Sequence, residues 1–386
     1  LRQVYLDYAA TSPMHPEVLE KMKPMMLENF GNPSSIHTFG REARRILDES
    51  RRYLAGTIGA TPAEIIFTSG GTEADNLAVI GTALANQHVG KHIITTQIEH
   101  HAVLHACRFL EGIGYEVTYL PVDEQGVISI NQLKEHLTDQ TILVSVMYGN
   151  NEVGSIQPIN EIAHLLKDHQ AFFHTDAVQA YGMKEINVKE MAIDLLSVSA
   201  HKINGPKGVG FLYARSGIKL QPSLFGGEQE LKRRAGTENV AGIYGFSHAA
   251  KLALTTREQK IEQYKAFKNE MMSIFEDYNL PCQINGVVDG LPHVFNVYFP
   301  KTHIESLLIN LDLAGIAASS GSACTAGSVD PSHVLVAMFG KESDRILSSI
   351  RFSFGYGTTI EDVHYAAHEI AKIVKRVTAK GNNGGN

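Results

Sequence analysis

The sequence predicts an α/β protein in which helices cover a mostly parallel sheet and a smaller α+β unit follows after about Ala250. Two observations predict this. Over the first two thirds of the chain, short apolar runs ending in glycine or a polar residue alternate with helical patterns, as in strands joined by helical crossovers. Glu258–Tyr278 is then a long, charged helical pattern, beyond which single strand-like runs mix with helices. A length of 386 residues is too great for one small core and suits two domains.

Taken in order, Glu42–Leu54 reads as an amphipathic helix, closed by the turn residues Gly59-Ala60-Thr61-Pro62. Glu64–Thr68 is a short apolar run that meets Gly70-Gly71, a strand leading into a loop and helix. His92–Thr96, Ile142–Met147, Phe172–Asp176 and Asp194–Ser199 repeat that theme, with the helical pattern Ile159–His169 among them. Beyond the charged helix come a strand-like His293–Phe299, a helical His303–Leu313, the small-residue stretch Ala317–Gly327, and Arg345–Phe354 followed by a helix. The tail from Lys380 has no apolar residue and is expected to be disordered.

Composition narrows the function. Hydrophobic residues make up 44% and charged residues 19%, as in an ordinary globular chain. No run nears the roughly 20 apolar residues that span a bilayer, and Leu1–Asp7 lacks the apolar core of a secretion signal. No membrane partner and a cytoplasmic location are expected. The net charge of −7, with no long basic run, argues against direct nucleic-acid binding. Cys107, Cys282 and Cys324 are too few and too scattered for a disulfide framework or a Cys-rich zinc site. Three free thiols remain.

The chemistry concentrates in a few segments. In Ser197–Gly210 an apolar strand runs into Ser199, His201 and Lys202 before a glycine-rich turn. A bare ammonium at the end of a buried strand is costly, whereas a lysine joined as an imine to an aldehyde cofactor escapes that cost. Read alone, Lys202 is equally a solvent-facing lysine. Phe172–Asp176 ends in a carboxylate, which a pyridine-ring cofactor needs beside its nitrogen. Ligands in open α/β sheets gather at the carboxyl ends of strands, where Asp176 and Lys202 both fall. Asp176 as a helix cap is the plainer alternative.

Thr68–Asn76 places Gly70, Gly71 and Thr72 where a strand gives way to a helix, an arrangement that receives phosphate on backbone N–H groups. It lacks the nucleotide P-loop pattern. His100 and His101 are adjacent and do not share a helical metal-ligand spacing, so no metal is expected there. One imidazole stacked on the cofactor ring, able to move protons, is the sharper reading. Ser319–Gly327 is nearly all small residues around Cys324, which suits a mobile, reactive thiol. An incidental cysteine in a linker is the plainer one.

Together these segments resemble the class I (NifS/IscS-like) cysteine desulfurases, pyridoxal-phosphate enzymes of the aspartate aminotransferase fold type. The resemblance runs from Tyr5–Thr11 through Gly31–His37 to Ile350–Ser353. It implies fold type I of the PLP-dependent transferases: a large domain over 16–255 with a mostly parallel seven-stranded sheet, and a small α+β domain from 1–15 and 256–378, with 379–386 as tail. The activity implied is conversion of L-cysteine to L-alanine with sulfur passing through a Cys324 persulfide. A selenocysteine lyase, another PLP-dependent lyase or an aminotransferase is the nearest alternative.

The resemblance also implies roles. Lys202 is similar to the family's cofactor lysine, with Ser199, His201, Gly71 and Thr72 at phosphate-binding positions. His100 matches the ring-stacking histidine, Asp176 the pyridine partner and Gln179 the partner of the phenolic oxygen. Asn151 and Arg351 match residues at the substrate carboxylate, where a planar two-pronged donor is the suitable group. Thr237 resembles a threonine that reaches the phosphate of a partner subunit, which implies a homodimer. Cys324 would pass sulfur to a persulfide-accepting protein, an iron–sulfur scaffold or a tRNA-thiolating enzyme. Glu228 and Leu231-Lys232 depart from the usual glycine and Arg-Gly at their positions, leaving the shape of that loop open.

Overall fold

The computed structural model describes residues 2–321, 324–325, 328–329 and 331–382, with backbone only at 324–325, 328–329 and 380–382. Seven strands form one sheet: β1 (Ile65–Thr68), β2 (His92–Thr96), β3 (Glu116–Leu120), β4 (Thr141–Ser145), β5 (Phe172–Asp176), β6 (Leu195–Ser199) and β7 (Gly210–Ala214). Their spatial order is β1-β7-β6-β5-β4-β2-β3. Every neighbouring pair is parallel except the two that involve β7.

The five strand-like runs read from the sequence all lie in this sheet, with ends shifted by a residue or two. Periodicity did not single out β3 and β7. β3 is a sheet edge with a mixed exposed and half-buried pattern, and β7 begins on a glycine straight after the glycine-rich turn. Neither offers the uninterrupted apolar run of a central parallel strand.

Two apolar cores flank the sheet. One packs Leu47, Phe173, Val198 and Phe246 against its strands, and the other packs Leu77, Val103 and Leu110 on the opposite side. The charged pattern at 258–278 is a single helix, Arg257–Asp277. It packs with the last helix, Ile360–Asn382, over an antiparallel sheet of Gln283–Asn285, β8 (Val294–Tyr298) and β9 (Ser349–Ser353). This separate core also takes Val4 and Leu6, so the start of the chain crosses back to the end.

Two expectations are corrected. Arg345–Ser348 is a helical turn that leads into β9 rather than the beginning of the strand. The last helix extends to Asn382, into the stretch from 379 where disorder was expected; its apolar face, through Ile370, Ile373 and Val374, holds it on the core upstream. The 322–330 stretch around Cys324 lies largely outside the described residues. The backbone of Cys324 and Thr325 pairs antiparallel with Ser328 and Val329.

Candidate active site

The carboxyl ends of β5 and β6 open into a cavity of about 340 Å3. Its lining includes Gly71, Thr72, His100, Asn151, Asp176, Gln179, Ser199, His201, Lys202 and Arg351. Residues chosen for different reasons from distant segments thus share one space. A second cavity, of about 460 Å3, lies at the opposite ends of the strands beside Phe172, Asp194 and Arg215, and contains none of them.

Lys202 follows β6 in a short helical turn and is partly buried. Its Nζ donates to the carbonyls of Ala9 at 2.5 Å and Ala10 at 2.8 Å. Burial pulls its pKa down to about 8; Arg351 lowers it further, while Asp176 and Asp7 oppose the fall. An amine in that range is partly neutral near physiological pH, as a base must be.

Asp176 ends β5 and accepts the backbone N–H of Val178 at 2.9 Å. Burial raises its carboxyl to about 6, against the pull of that N–H and of Lys202. Beneath it lies Asp75, fully buried and pushed well up by burial and by the charge of Asp176. Two acids so close cannot both ionise cheaply, so Asp75 carries the proton and Asp176 the charge. Sequence reading missed Asp75 as a site residue. Its signal was the i, i+4 spacing from Gly71, which puts both on one face of the helix beginning at Gly71.

His100 caps the helix His101–Gly112: its Nδ1 accepts the N–H of Ala102 at 3.1 Å, so Nε2 carries the proton. Burial and then the charge of Lys202 bring its pKa to about 4, so the ring is neutral at working pH. His201 is likewise held near 4 by burial and Lys202, and its Nδ1 meets the hydroxyl of Thr11 at 3.0 Å. Glu99, beside His100, is buried and raised to about 8, so it is protonated at neutral pH. Gln179 donates from Nε2 to the Ala9 carbonyl at 2.9 Å and receives His293 Nε2 on its Oε1 at 3.0 Å. His293, also missed from sequence, is buried and held neutral by that burial.

Arg351 lies within β9 and is almost fully buried. Its Nη2 donates to Asp7 Oδ1 at 2.7 Å and its Nη1 to the Asn151 carbonyl at 3.0 Å. Asp7 lies in the Tyr5–Thr11 segment, and its own role gives no signal in the sequence. Glu152 completes this wall: it is buried, raised by burial, and accepts the hydroxyl of Ser332 at 2.5 Å.

The donor set fits pyridoxal phosphate. A partly buried amine and a carboxylate open on one cavity, and the turn at Gly71 leaves no room for a side chain, since a Cβ there would come within 2.9 Å of Val178. Ser199 stands next to that turn, so Gly71, Thr72, Ser199 and His201 would hold the phosphate, Asp176 the ring nitrogen, and Lys202 the aldehyde carbon.

Two expected residues are elsewhere. Thr237 is exposed and lines a different recess, with Ser69 and Arg234. The loop before it has Glu230, Leu231 and Lys232 at φ of 49°, 56° and 67°. Glu230 pins it through a two-pronged ion pair with Arg51, at 2.7 and 2.6 Å, and by accepting the N–H of Phe67. The side chain of Cys324 lies outside the described residues. Among the described cysteines, burial pushes the Cys107 thiol up to about 12 and raises that of Cys282. Among the described residues, no cluster of three or more His, Cys, Asp or Glu is placed to hold a metal ion.

Comparison with known proteins identifies the family. The family model described as aminotransferase class-V matches residues 4–365. A putative cysteine desulfurase, IscS 1, from Bacillus subtilis (strain 168) is 61% identical over 379 residues, covering 98% of this chain and 100% of the relative. A solved structure of a NifS-like protein superposes with a TM-score of 0.91 at 34% identity, covering 97% of this chain and 100% of that one. SspA in complex with cysteine gives a TM-score of 0.81 at 36% identity, covering 91% and 99%.

Proposed function

Because the chain belongs to the aminotransferase class-V family and is a pyridoxal-phosphate-dependent cysteine desulfurase, we propose that Lys202, Arg351 and Cys324 divide the conversion of L-cysteine to L-alanine among them. The observation that carries this division is the convergence of Lys202, Asp176 and Arg351 on one cavity. The bound cofactor supplies an electron-withdrawing ring that takes up the charge left when the substrate Cα loses its proton.

The chain's own residues do the rest. Arg351 and Asn151 receive the substrate carboxylate. Lys202, its pKa lowered by burial, takes the Cα proton as a neutral amine. Asp176 keeps a negative charge under the ring nitrogen while Asp75 holds the shared proton. His100, neutral and with Nε2–H exposed to the cavity, steadies the ring face. The Cys324 thiolate then attacks the substrate sulfur: an S–S bond forms, the Cβ–S bond breaks with its electron pair staying on Cβ, Cβ is protonated, and the proton held by Lys202 returns to Cα to give alanine. General acid–base help of this kind is worth about 10²–10⁴-fold.

The reading extends to the surroundings. Residues 16–255 form the large domain, and 1–15 with 256–378 the small one; the core of Val4, Leu6 and residues from Tyr264 to Val374 supports the division, while Ala9, Leu291 and Val294 pack into the large core across the boundary. Two copies form a homodimer in which Thr237, turned away from its own cavity, serves the partner's phosphate. Exposed Phe30 and Phe39, stacked at 5.4 Å, and Ile36 between them offer apolar surface for such a contact. No helix among the described residues is long and apolar enough to cross a membrane. We infer a cytoplasmic setting, with delivery of sulfur to an iron–sulfur scaffold or a tRNA-thiolating enzyme.

The test is product analysis. With a thiol reductant the enzyme should release alanine and sulfide steadily from L-cysteine, with no keto acid added. Cys324→Ser should keep the cofactor and bind cysteine without forming persulfide, and Lys202→Ala should lose the lysine-bound cofactor. Normal desulfuration by Cys324→Ser would remove Cys324 from this scheme.

A further inference from the structure

Resting on the reading of Arg351 as the carboxylate receptor, we propose that Asp7 is a positioning residue for substrate: it orients the guanidinium, and so fixes where the amino acid's Cα falls relative to Lys202.

The geometry of the pair is the first ground. Of the five N–H groups of a guanidinium, Asp7 takes one from Nη2 and the Asn151 carbonyl takes one from Nη1. Nε is buried and has no partner among the described residues. The arginine is therefore anchored by two contacts and keeps donors free beside the cavity that it lines. The pair is also shielded. The side chain of Arg351 is 4% exposed and that of Asp7 is 22% exposed, so it is not an ordinary solvent-screened surface bridge. A buried guanidinium without a counter-charge would be costly before substrate arrives.

The second ground is the rigidity of Asp7 itself. Its backbone bridges to Ser353, two residues beyond Arg351 on the same strand. Ser353 donates its N–H to the Leu6 carbonyl at 2.7 Å, and Tyr5 donates its hydroxyl to the Asp7 carbonyl at 3.0 Å. The carboxylate is thus presented from a backbone held on both sides.

The third ground is where the segment goes next. Ala9 and Ala10, two and three residues along, supply the carbonyls that hold Lys202 Nζ. One short stretch of chain consequently touches both the carboxylate clamp and the proton acceptor, whose relative placement governs a proton transfer from Cα. Asp7 repels an incoming carboxylate as well as orienting its receptor. Orientation prevails because N–H groups of the Arg351 guanidinium remain free beside the cavity that it lines.

The experiment uses the holoenzyme and two variants, Asp7→Ala and Asp7→Asn. KM and kcat are measured with L-cysteine, and L-alanine and L-alaninamide are titrated against the cofactor absorbance. Asp7→Ala should raise KM for cysteine, weaken L-alanine about tenfold or more, and lower kcat about threefold or more, because a misplaced clamp costs both binding of the carboxylate and the placement of Cα against Lys202. L-Alaninamide, which has no carboxylate, should bind as it does to the wild type. Asp7→Asn keeps an acceptor for Nη2 and should stay within about threefold of wild type. An unchanged or lower KM in Asp7→Ala overturns the proposal, as does equal weakening of L-alanine and L-alaninamide. If the wild type makes no alanine from cysteine, the desulfurase reading fails instead, and the two titrations still decide the role of Asp7.

Discussion

His293 donates its Nε2–H to Oε1 of Gln179 at 3.0 Å, and this bond, together with the one from Gln179 Nε2 to the Ala9 carbonyl, fixes which way the Gln179 amide faces. With its oxygen occupied, Gln179 can offer only N–H groups to the cavity; one goes to Ala9 and one remains. A donor is what the phenolic oxygen of the cofactor requires. Replacing His293 by Ala should leave Gln179 Oε1 buried and unpaired, at a cost of about 1–3 kcal/mol in stability. The holoenzyme absorbance maximum should shift as the amide loses one of the two bonds that orient it. A denaturation midpoint and a spectrum check both; an unchanged spectrum would detach His293 from the site.

The protonation of Lys202 gives a pH prediction. Only the neutral amine captures an aldehyde, and burial brings the Lys202 pKa to about 8. In cofactor-free protein the capture rate should rise about tenfold from pH 7 to pH 9 and then level off, whereas an ordinary lysine would gain about a hundredfold without levelling. Asp176→Asn removes a charge that holds the value up and should move the midpoint to lower pH. The linkage sign follows. The folded lysine loses its proton near 8 and the unfolded one only near 10.5, so the unfolded state binds more protons in between and stability rises with pH across that window. Stopped-flow absorbance at a series of pH values is the measurement.

Thiol labelling separates the cysteines. Cys107 is buried with its pKa pushed to about 12, so it should resist alkylation at pH 7.5 until denaturant is added. Cys282, half-buried and raised, should react slowly. Any fast-reacting thiol should vanish in Cys324→Ser. Mass spectrometry of timed samples assigns each; a fast Cys107 would contradict its burial.

Gly321 tests the approach to Cys324. Its φ is +87°, and a Cβ there would lie 2.7 Å from Glu152 Oε2, the atom that also accepts the Ser332 hydroxyl. Gly321→Ala should cost about 1–2 kcal/mol of backbone strain and push Glu152 away from Ser332. Cofactor binding should persist while persulfide formation falls. Trapping the persulfide with an alkylating probe, beside the holoenzyme spectrum, distinguishes the two; equal loss of both would show a general folding defect.

Much of the site was legible because its residues sit where secondary structure changes. Asp176 and Lys202 stand at or just past strand ends, and Gly71 and Thr72 at a helix start, so periodicity and turn chemistry point to them. Arg351 gave no such signal. It is interior to a strand of the small sheet, and only the family resemblance marked it. Asp7, Asp75, Glu99 and His293 escaped because their importance lies in burial beside another charge or amide, a property of packing between distant segments. The shape of the loop before Thr237 was not legible in sequence, and the structure supplies it: Glu230, next to the unusual Leu231-Lys232, is the buried partner of Arg51.

The partners of the Asp7–Arg351 pair lie 344 residues apart. During synthesis the large sheet, with Lys202, Asp176 and the phosphate turn, is complete long before β9 leaves the ribosome, and domains tend to fold in that order. A nascent chain can therefore acquire its cofactor pocket while it still lacks the arginine that receives cysteine. Reactive chemistry waits for the last tenth of the chain, and a truncated product would carry the cofactor without the means to release sulfur.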